Sequence, residues 1–185
     1  MIRRLFLIAA ACLLAALPAA ADDLAAAKEP GAIVIMRHAL APGTGDPTTV
    51  VIGDCSTQRN LDDRGRDQAR QIGAAFRERG IGFDRVLTSQ WCRCRETAEL
   101  LGLGAVEDLP AMNSFFRRFD RRESQTAELK GFIASLPADA RVMLVTHQVN
   151  ISALTGQGTS SGEALVLKRL DGGEVEVTGS ILIRP

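Results

Sequence analysis

The 185-residue sequence contains no tyrosine, one tryptophan and only two histidines. Its formal net charge is zero, so it lacks the broad basic field with which proteins hold nucleic acid or anionic membranes nonspecifically. It also has no internal repeat and no low-complexity linker. We therefore expect no nucleic-acid partner, and the chemistry of the protein has to come from individual side chains.

The N-terminal segment has the pattern of a secretory signal peptide. Two arginines precede an apolar stretch over residues 5–17, and small residues follow at Ala19 and Ala21. This pattern predicts a cleavable signal peptide over residues 1–21, because the apolar core is too short for an ordinary membrane span. A lipoprotein acylated at Cys12 is the alternative.

Cleavage before Asp22 would remove 21 of the 185 residues and leave 164. Two of the 22 basic residues lie in the removed segment, so 20 remain against 22 acidic residues and the net charge is near −2. A chain of this length suits one domain with one sizeable core. We expect residues 22–185 to form a single domain of a periplasmic or secreted protein, without an integral membrane span in its mature form.

Short apolar segments alternate with amphipathic ones along the rest of the chain. Residues 32–36 and 142–146 are apolar on both faces, as strands buried in a parallel sheet are. A loop rich in glycine, proline, threonine and aspartate covers residues 41–54. Hydrophobic periodicity and stop signals predict further strands at 83–89 and 105–108, and helices at 62–79, 93–101 and 123–136.

This alternation predicts an α/β fold, a three-layer sandwich with a mostly parallel central sheet flanked by helices. The C-terminal segment has a different pattern. Residues 163–169 and 174–183 flank the turn at 171–173, which predicts an antiparallel hairpin at the sheet edge.

Each histidine directly follows one of the two strands that are apolar on both faces. His38 follows Arg37 at the end of the first strand, His147 follows the later strand, and Arg93 comes shortly after the strand between them. Carboxyl ends of parallel strands lie at the sheet edge where α/β proteins bind ligands. The sequence therefore predicts that these four side chains share one cleft.

Two guanidinium groups and two imidazoles suit a phosphate monoester. Guanidinium groups bind phosphate oxygens in bidentate fashion, and a neutral imidazole is a competent nucleophile toward phosphorus. A phosphohistidine intermediate divides one difficult displacement into two easier ones, while the cations stabilise the equatorial oxygens. This chemistry predicts a small phosphorylated substrate, phosphate as product or inhibitor, and neither a metal nor another cofactor.

Four motifs in order resemble those of the histidine phosphatase superfamily, whose fold is also called phosphoglycerate-mutase-like. They are residues 37–39 (Arg-His-Ala for Arg-His-Gly), 61–69 (Leu-Asp-Asp-Arg-Gly-Arg-Asp-Gln-Ala for Leu-Thr-x-x-Gly-x-x-Gln-Ala), 89–98 (Ser-Gln-Trp-Cys-Arg-Cys-Arg-Glu-Thr-Ala for Ser-x-x-x-Arg-Ala-x-x-Thr-Ala) and 145–147 (Val-Thr-His). The resemblance implies a metal-independent phosphoric monoester hydrolase. It implies that His38 accepts the phosphoryl group and that Arg37, Arg93 and His147 line the phosphate pocket.

The motifs do not identify a general acid. Gln148 follows His147, where some members of the superfamily have an aspartate, and Asn113 stands where others have a glutamate. An amide orients a substrate or a water but donates no proton as an acid, so Asn113, Gln148 and Thr44 are predicted substrate contacts. We rank Asp46 first as proton donor, because it follows a glycine-containing loop whose backbone can approach phosphate. The alternatives are Asp54, Asp120 and Glu163.

Within the superfamily, the Arg-His-Ala opening, a cysteine before the first helix and the C-terminal hairpin are similar to the lipopolysaccharide core heptose-phosphate phosphatases. This similarity implies an exported enzyme that acts on a phosphorylated envelope sugar. Two alternatives are a phosphate-binding protein of the same fold without turnover, and an enzyme like the phosphohistidine phosphatases, whose substrate needs no general acid.

Three cysteines follow the predicted signal peptide, an odd number for an oxidising compartment. Cys55 precedes the first helix and Cys92 follows the strand that leads into the second, so both are expected at one edge of the sheet. We predict a bond between them, with Cys55 to Cys94 as the alternative. The leftover thiol is expected to be a small buried hydrophobic group, and a zinc site built from these cysteines and a histidine is the competing interpretation.

Other residues near the motifs have expected structural roles. Asn150 is predicted to cap a short helix over residues 151–154. Trp91 is expected to pack beside the pocket. The pair Phe115 and Phe116 is expected either in the core or as a lid over a hydrophobic leaving group.

Overall fold

The computed structural model describes residues 23–185, so the predicted signal peptide and Cys12 lie outside the described residues. Six strands form one sheet: β1 Ile33–Arg37, β2 Arg85–Thr88, β3 Val106–Asp108, β4 Val142–Thr146, β5 Ala164–Arg169 and β6 Val175–Ile181. The helices are α1 Asp23–Ala26, α2 Asp63–Glu78, α3 Cys92–Leu101, α4 Arg122–Ser135 and α5 Gln148–Thr155. None of the helices within residues 23–185 is long and apolar enough to cross a bilayer.

The sheet has the strand order β3-β2-β4-β1-β5-β6. The first four of these strands run parallel to one another, whereas β5 is antiparallel to β1 and β6 is antiparallel to β5. The C-terminal hairpin therefore forms one edge of a sheet whose other four strands are parallel. This arrangement confirms the predicted fold class.

Alternate residues of the central strands point into two separate cores, one on each face of the sheet. On one face, Val34 and Met36 pack with the apolar sides of α2 and α3. On the other face, Ile33 and Ile35 pack with residues of α4 and α5. Because successive side chains of a strand alternate between faces, strands covered on both sides have to be apolar throughout. The sheet is the middle layer of three, as predicted.

Two details of the predicted secondary structure are wrong. Asn150 does not cap a helix: α5 begins two residues earlier at Gln148, with His147 as its N-cap, so Asn150 lies inside the first turn. The second strand is shorter than residues 83–89 because Phe83 leaves the sheet and packs its ring 5.5 Å from that of Phe76 on α2.

Two residues of the 61–69 motif hold the start of α2 against the chain that leaves β1. A side chain at Gly65 would overlap the carbonyl oxygen of Leu40, so only glycine permits this close approach. Gln68 is buried and accepts a hydrogen bond from the N–H of Leu40 at 2.9 Å. Its amide nitrogen donates to the carbonyl of Ile183 at 2.7 Å. The helix thereby fixes the backbone that follows His38.

The predicted disulfide between Cys55 and Cys92 is present, and Cys94 is a free, buried thiol. Cys55 begins a 3-10 turn over Cys55–Thr57, and Cys92 is the first residue of α3. The bond therefore ties the end of the long loop to the residue directly before Arg93.

We expect the double variant Cys55→Ala with Cys92→Ala to lose about 3–4 kcal/mol in the free energy of unfolding, because the native bond closes a loop with a sequence separation of 37 in the unfolded chain. Urea denaturation at neutral pH measures this difference. The control variant Cys94→Ala keeps the bond and should lose only about 1 kcal/mol, the usual cost of a small core truncation. Equal losses in the two variants would contradict a stabilising role of the disulfide.

Candidate active site

The two histidines lie side by side because β1 and β4 are neighbouring parallel strands. Arg37 and Thr146 are register partners at the carboxyl ends of these strands, and each histidine is the next residue. The N–H of His38 donates to the carbonyl of Thr146 at 3.0 Å, and the His38 and His147 ring centroids are 5.7 Å apart. Both rings line a cavity of about 210 Å³ at this edge of the sheet.

The orientation of the His38 ring is fixed by the backbone. Its Nδ1 lies 2.7 Å from the carbonyl oxygen of Ala39, which only accepts hydrogen bonds. Nδ1 therefore carries the ring hydrogen of the neutral imidazole, and Nε2 keeps its lone pair. The residue is only 2% exposed. This is the tautomer that a nucleophile at Nε2 requires.

The surroundings of both imidazoles favour the neutral form. Burial holds the pKa of His38 well below its usual value, and the positive charge of Arg93 lowers this pKa further. Burial and Arg93 lower the pKa of His147 in the same way. Both rings are therefore uncharged at neutral pH.

Arg37 and Arg93 contribute guanidinium groups to the same cavity. Arg37 donates through Nη1 to the carbonyl of Thr159 at 3.1 Å, and Arg93 lies with its guanidinium 4.9 Å from the ring centre of Trp91. The Nε atoms of both arginines are buried and have no hydrogen-bond partner within the described residues. Buried donors of this kind are expensive unless an acceptor binds them, so they point to an anionic ligand.

A third arginine, Arg59, lines the cavity and was missed by the sequence analysis. Its Nε donates to the carbonyl of Gly45 at 2.8 Å, and its Nη1 donates to the carbonyl of Ala41. Burial and the neighbouring Arg93 lower the pKa of Arg59 from its usual value. In the sequence, the one feature that could have indicated a role for Arg59 is its position just before the 61–69 motif. An isolated arginine before a helix is usually solvated, and only the folded loop brings this one to the pocket.

A chain of hydrogen bonds sets the tautomer of His147. Arg93 Nη2 lies 3.2 Å from His147 Nδ1 and can only donate, so Nδ1 accepts. His147 Nε2 then donates to Ser89 Oγ at 2.9 Å. Ser89 in turn donates to the side-chain oxygen of Asn113 at 3.2 Å. The serine of the 89–98 motif therefore holds the ring of His147.

The three predicted substrate contacts have different positions. Thr44 and Gln148 line the cavity. Gln148 uses its amide oxygen to accept from the N–H and hydroxyl of Thr159, both at 2.9 Å. Asn113 lies behind His147, and its amide oxygen accepts from Ser89 and from the N–H of Gln90 at 2.8 Å. Asn113 supports the wall of the pocket and is not among the residues that line it.

Of the four candidate proton donors, Asp46 lies at the cavity. Its Oδ1 accepts from Arg93 Nη1 at 2.8 Å and from the N–H of Arg59 at 3.0 Å. The other three are engaged elsewhere. Asp54 caps the 3-10 turn, Asp120 pairs with Arg118, and Glu163 accepts from Ser160 and Ser180.

The cysteines have structural roles in this arrangement. The disulfide removes two of the three thiolates that the zinc interpretation needs. Cys94 is the third, and burial raises its pKa to about 12, so its sulfur is a neutral thiol at physiological pH. It packs in the core beside α2, as predicted for a small hydrophobic group.

The aromatic residues near the pocket have separate roles. Trp91 is buried and its ring lies 5.8 Å from that of His147. Phe115 is fully buried, whereas Phe116 lines the cavity and is 44% exposed. Phe115 is therefore a core residue, whereas a role of Phe116 as a lid stays a prediction.

Comparison with known proteins gives a match to one protein family. The sequence profile of the histidine phosphatase superfamily (branch 1) matches residues 33–115, which include the first three of the four motifs. Residues 33–115 of this chain are therefore similar to the histidine phosphatase superfamily. The arginine and histidine of its first motif and the arginine of its third are the residues that meet in the cavity.

Three known proteins show the extent of the similarity. The mitochondrial serine/threonine-protein phosphatase Pgam5 of Drosophila virilis is 35% identical over 75 residues, which are 40% of this chain and 23% of Pgam5. The SixA protein of Agrobacterium tumefaciens has 20% identity and a TM-score of 0.58 over 83% of this chain and 99% of its own. A protein histidine phosphatase SixA complexed with tungstate has 18% identity and a TM-score of 0.53 over 81% and 96%. The chain thus matches about a quarter of the curated relative, and the solved structures share its fold.

We expect the chemical shifts of both histidine rings to stay constant between about pH 8 and pH 6, because both pKa values lie well below the usual value near 6.5. Histidine Cε1–H signals of untagged protein measure this directly, since the sequence has only two histidines. The urea-unfolded chain is the control and should titrate near about pH 6.5.

The depressed pKa values of the two histidines also predict how the stability of the fold depends on pH. Below about pH 6.5 the unfolded chain takes up protons that the folded chain does not. The free energy of unfolding should therefore decrease as the pH is lowered, by up to about 1.4 kcal/mol per pH unit for each histidine. A folded-state midpoint near about pH 6.5 for either ring would contradict the assignment of neutral, buried imidazoles.

Proposed function

We propose that this protein is a phosphomonoester hydrolase that works through a phosphohistidine on His38. The observation that carries the proposal is the fixed tautomer of His38, with the lone pair of Nε2 available in a cavity lined by three arginines. The three guanidinium groups and the single carboxylate of Asp46 leave the cavity with a net charge of +2. A phosphate monoester dianion has the charge that balances it.

In the first step, Nε2 of His38 attacks phosphorus. A P–N bond forms while the P–O bond to the leaving group breaks, and the leaving oxygen takes the electron pair together with a proton. Arg37, Arg59 and Arg93 stabilise the charge on the equatorial oxygens, since their donors are already in place and need no reorganisation.

In the second step, water attacks phosphorus on the opposite side. The P–N bond breaks, its electron pair returns to Nε2, and inorganic phosphate leaves. The water gives up one proton as it attacks. The base that receives this proton is the conjugate of the acid that served the first step.

We propose Asp46 as that acid and base. Its Oδ1 is held by Arg93 and Arg59, which leaves Oδ2 for the proton. The first step takes this proton from Oδ2, and the second step returns it there.

The similarity to other phosphatases supports this proposal. Pgam5 is a serine/threonine-protein phosphatase, and one SixA structure holds tungstate, a tetrahedral oxyanion like phosphate. The buried Nε donors of Arg37 and Arg93 are suited to such an anion.

We further propose that the enzyme is exported to the periplasm or secreted and that its substrate is a phosphorylated envelope sugar. The signal-peptide pattern of residues 1–21 and the disulfide between Cys55 and Cys92 support an oxidising compartment. A phosphorylated sugar is an alkyl phosphate, whose poor leaving group makes the proton from Asp46 important.

A labelled phenyl phosphate should give a trapped phosphoenzyme with wild-type protein and none with His38→Ala, because that variant has no nucleophile. His147→Ala should still form the phosphoenzyme, about 10²-fold more slowly, because it keeps the nucleophile and loses only the acceptor that positions Arg93 Nη2. A rapid quench into alkaline denaturant preserves the bond, since phosphohistidine is labile in acid and stable in base.

The exposed Arg64→Gln on α2 is the matched control and should behave like wild type. No phosphoenzyme and no turnover in wild-type protein that still binds phosphate would overturn the hydrolase proposal and leave a phosphate-binding protein of the same fold.

The variant Asp46→Asn removes the acidic proton but keeps the hydrogen bonds of this side chain, because the amide oxygen can still accept from Arg93 and Arg59. We expect a loss of about 10²–10⁴ in kcat/KM for an alkyl phosphate and a much smaller loss for nitrophenyl phosphate, whose leaving group departs without a proton. Equal losses on both substrates would show that Asp46 only positions Arg93.

A further inference from the structure

Trp91 lies directly against Arg93, the arginine of the 89–98 motif. The guanidinium carbon of Arg93 is 4.9 Å from the centre of the Trp91 ring. The two residues are two positions apart in the chain, and residues at this spacing do not face each other within a helix. Trp91 can turn back over Arg93 because it is the N-cap of α3 and has an extended backbone, with φ −73° and ψ 136°. The contact therefore depends on where the helix begins.

Packing alone does not explain an indole at this position. Trp91 is 8% exposed and belongs to the core that the sheet forms with α2 and α3. Its Nε1 is buried and has no hydrogen-bond partner within residues 23–185. A buried N–H without an acceptor lowers stability, and a phenylalanine or a leucine would fill apolar space without this penalty. What an indole adds is a wide, electron-rich face, which is the best aromatic partner for a cation.

Arg93 lies where a cation needs such a partner. It is 3% exposed, and two other arginines line the same cavity. Burial lowers the pKa values of Arg37 and Arg59, and the positive charge of Arg93 lowers both further. Three guanidinium groups in one cavity repel one another. Each of them is therefore drawn toward the nearest carboxylate, which is Asp46.

The contact between Arg93 and Asp46 differs from the usual geometry of such a pair. An arginine and a carboxylate frequently form two parallel hydrogen bonds. Here Asp46 Oδ1 accepts from Arg93 Nη1 at 2.8 Å and from the N–H of Arg59 at 3.0 Å. Arg93 Nη2 is directed to His147 Nδ1 at 3.2 Å, and Arg93 Nε has no partner in the described part of the chain. The guanidinium thus makes one bond to Asp46 and keeps one donor unused.

The ring of Trp91 explains why the guanidinium keeps this orientation. A planar guanidinium over an aromatic face is attracted by that face, and a rotation into a bidentate pair with Asp46 would weaken the contact. The same ring lies against His147, with the ring centroids 5.8 Å apart. Trp91 therefore contacts both partners of the hydrogen bond between Arg93 and His147.

We propose that Trp91 is a positioning residue for anion binding. Its indole face keeps Arg93 from pairing with both oxygens of Asp46, so that Arg93 Nε remains available to a phosphate oxygen. The proposal rests on the proposed function, because it takes the anion to be the phosphate group of the substrate beside His38. It requires that the affinity of the cavity for a phosphate group depends on the electron density of the Trp91 ring.

Fluorinated tryptophans test the proposal with almost no change in packing. Trp91 is the only tryptophan of the sequence, so protein made with 5-fluorotryptophan or 5,6,7-trifluorotryptophan changes at this position alone. Fluorine withdraws electron density from the ring face and adds little volume. We expect the affinity for phenylphosphonate, which cannot be hydrolysed, to decrease stepwise and to be about threefold weaker in the trifluorinated protein. Calorimetry measures these affinities.

Two substitutions enlarge the effect. Trp91→Phe keeps an aromatic face and should bind phenylphosphonate within about threefold of wild type, whereas Trp91→Leu should bind it about tenfold more weakly. Phe76→Leu is the matched control, because Phe76 lies in the same core but does not line the cavity. This control should unfold at lower urea concentration and keep the full affinity.

Equal affinity of the natural and the trifluorinated protein, or equal losses in Trp91→Phe and Trp91→Leu, would overturn the proposal and leave Trp91 as a packing residue. A different outcome separates the two proposals. If affinity depends on the ring but the trapping experiment gives no phosphoenzyme, the positioning role stands and the hydrolase is refuted.

Discussion

The parallel pairing of β1 with β4 is the constraint on which the site depends. Register partners at the carboxyl ends of these strands make His38 and His147 neighbours, although they are far apart in the chain. The hydrogen bond from the N–H of His38 to the carbonyl of Thr146 leaves the two histidines little freedom to move apart. Burial between two apolar layers then keeps both imidazoles neutral, which links the composition of the strands to the nucleophilicity of His38.

Arg93 connects the other parts of the pocket. It contacts Asp46 on the long loop, His147 at the end of β4, and the ring of Trp91 before its own helix. The disulfide at Cys92 ties the same loop to the residue next to Arg93. The long loop is therefore held at two places, and its glycines can line a cavity without support from a helix or a strand.

Much of this arrangement was predictable because it depends on local signals. Strands apolar on both faces, the 61–69 motif at the start of α2 and the motif around Arg93 specify the sheet and the carboxyl edge where the site lies. Arg59 and the contact of Ser89 with His147 were not predictable, because they depend on how the loop folds and how the strand ends approach each other. Asn150 was misassigned because a backbone turn at His147 begins α5 without a side-chain cap.

The central claim is that His38 Nε2 faces a phosphate held by three arginines. A crystal structure of the protein with vanadate tests it most directly. The account predicts vanadium bonded to Nε2 of His38, with the guanidinium groups of Arg37, Arg59 and Arg93 on the equatorial oxygens. Vanadate bonded to another side chain, or bound in the cavity with His38 turned away, would contradict it.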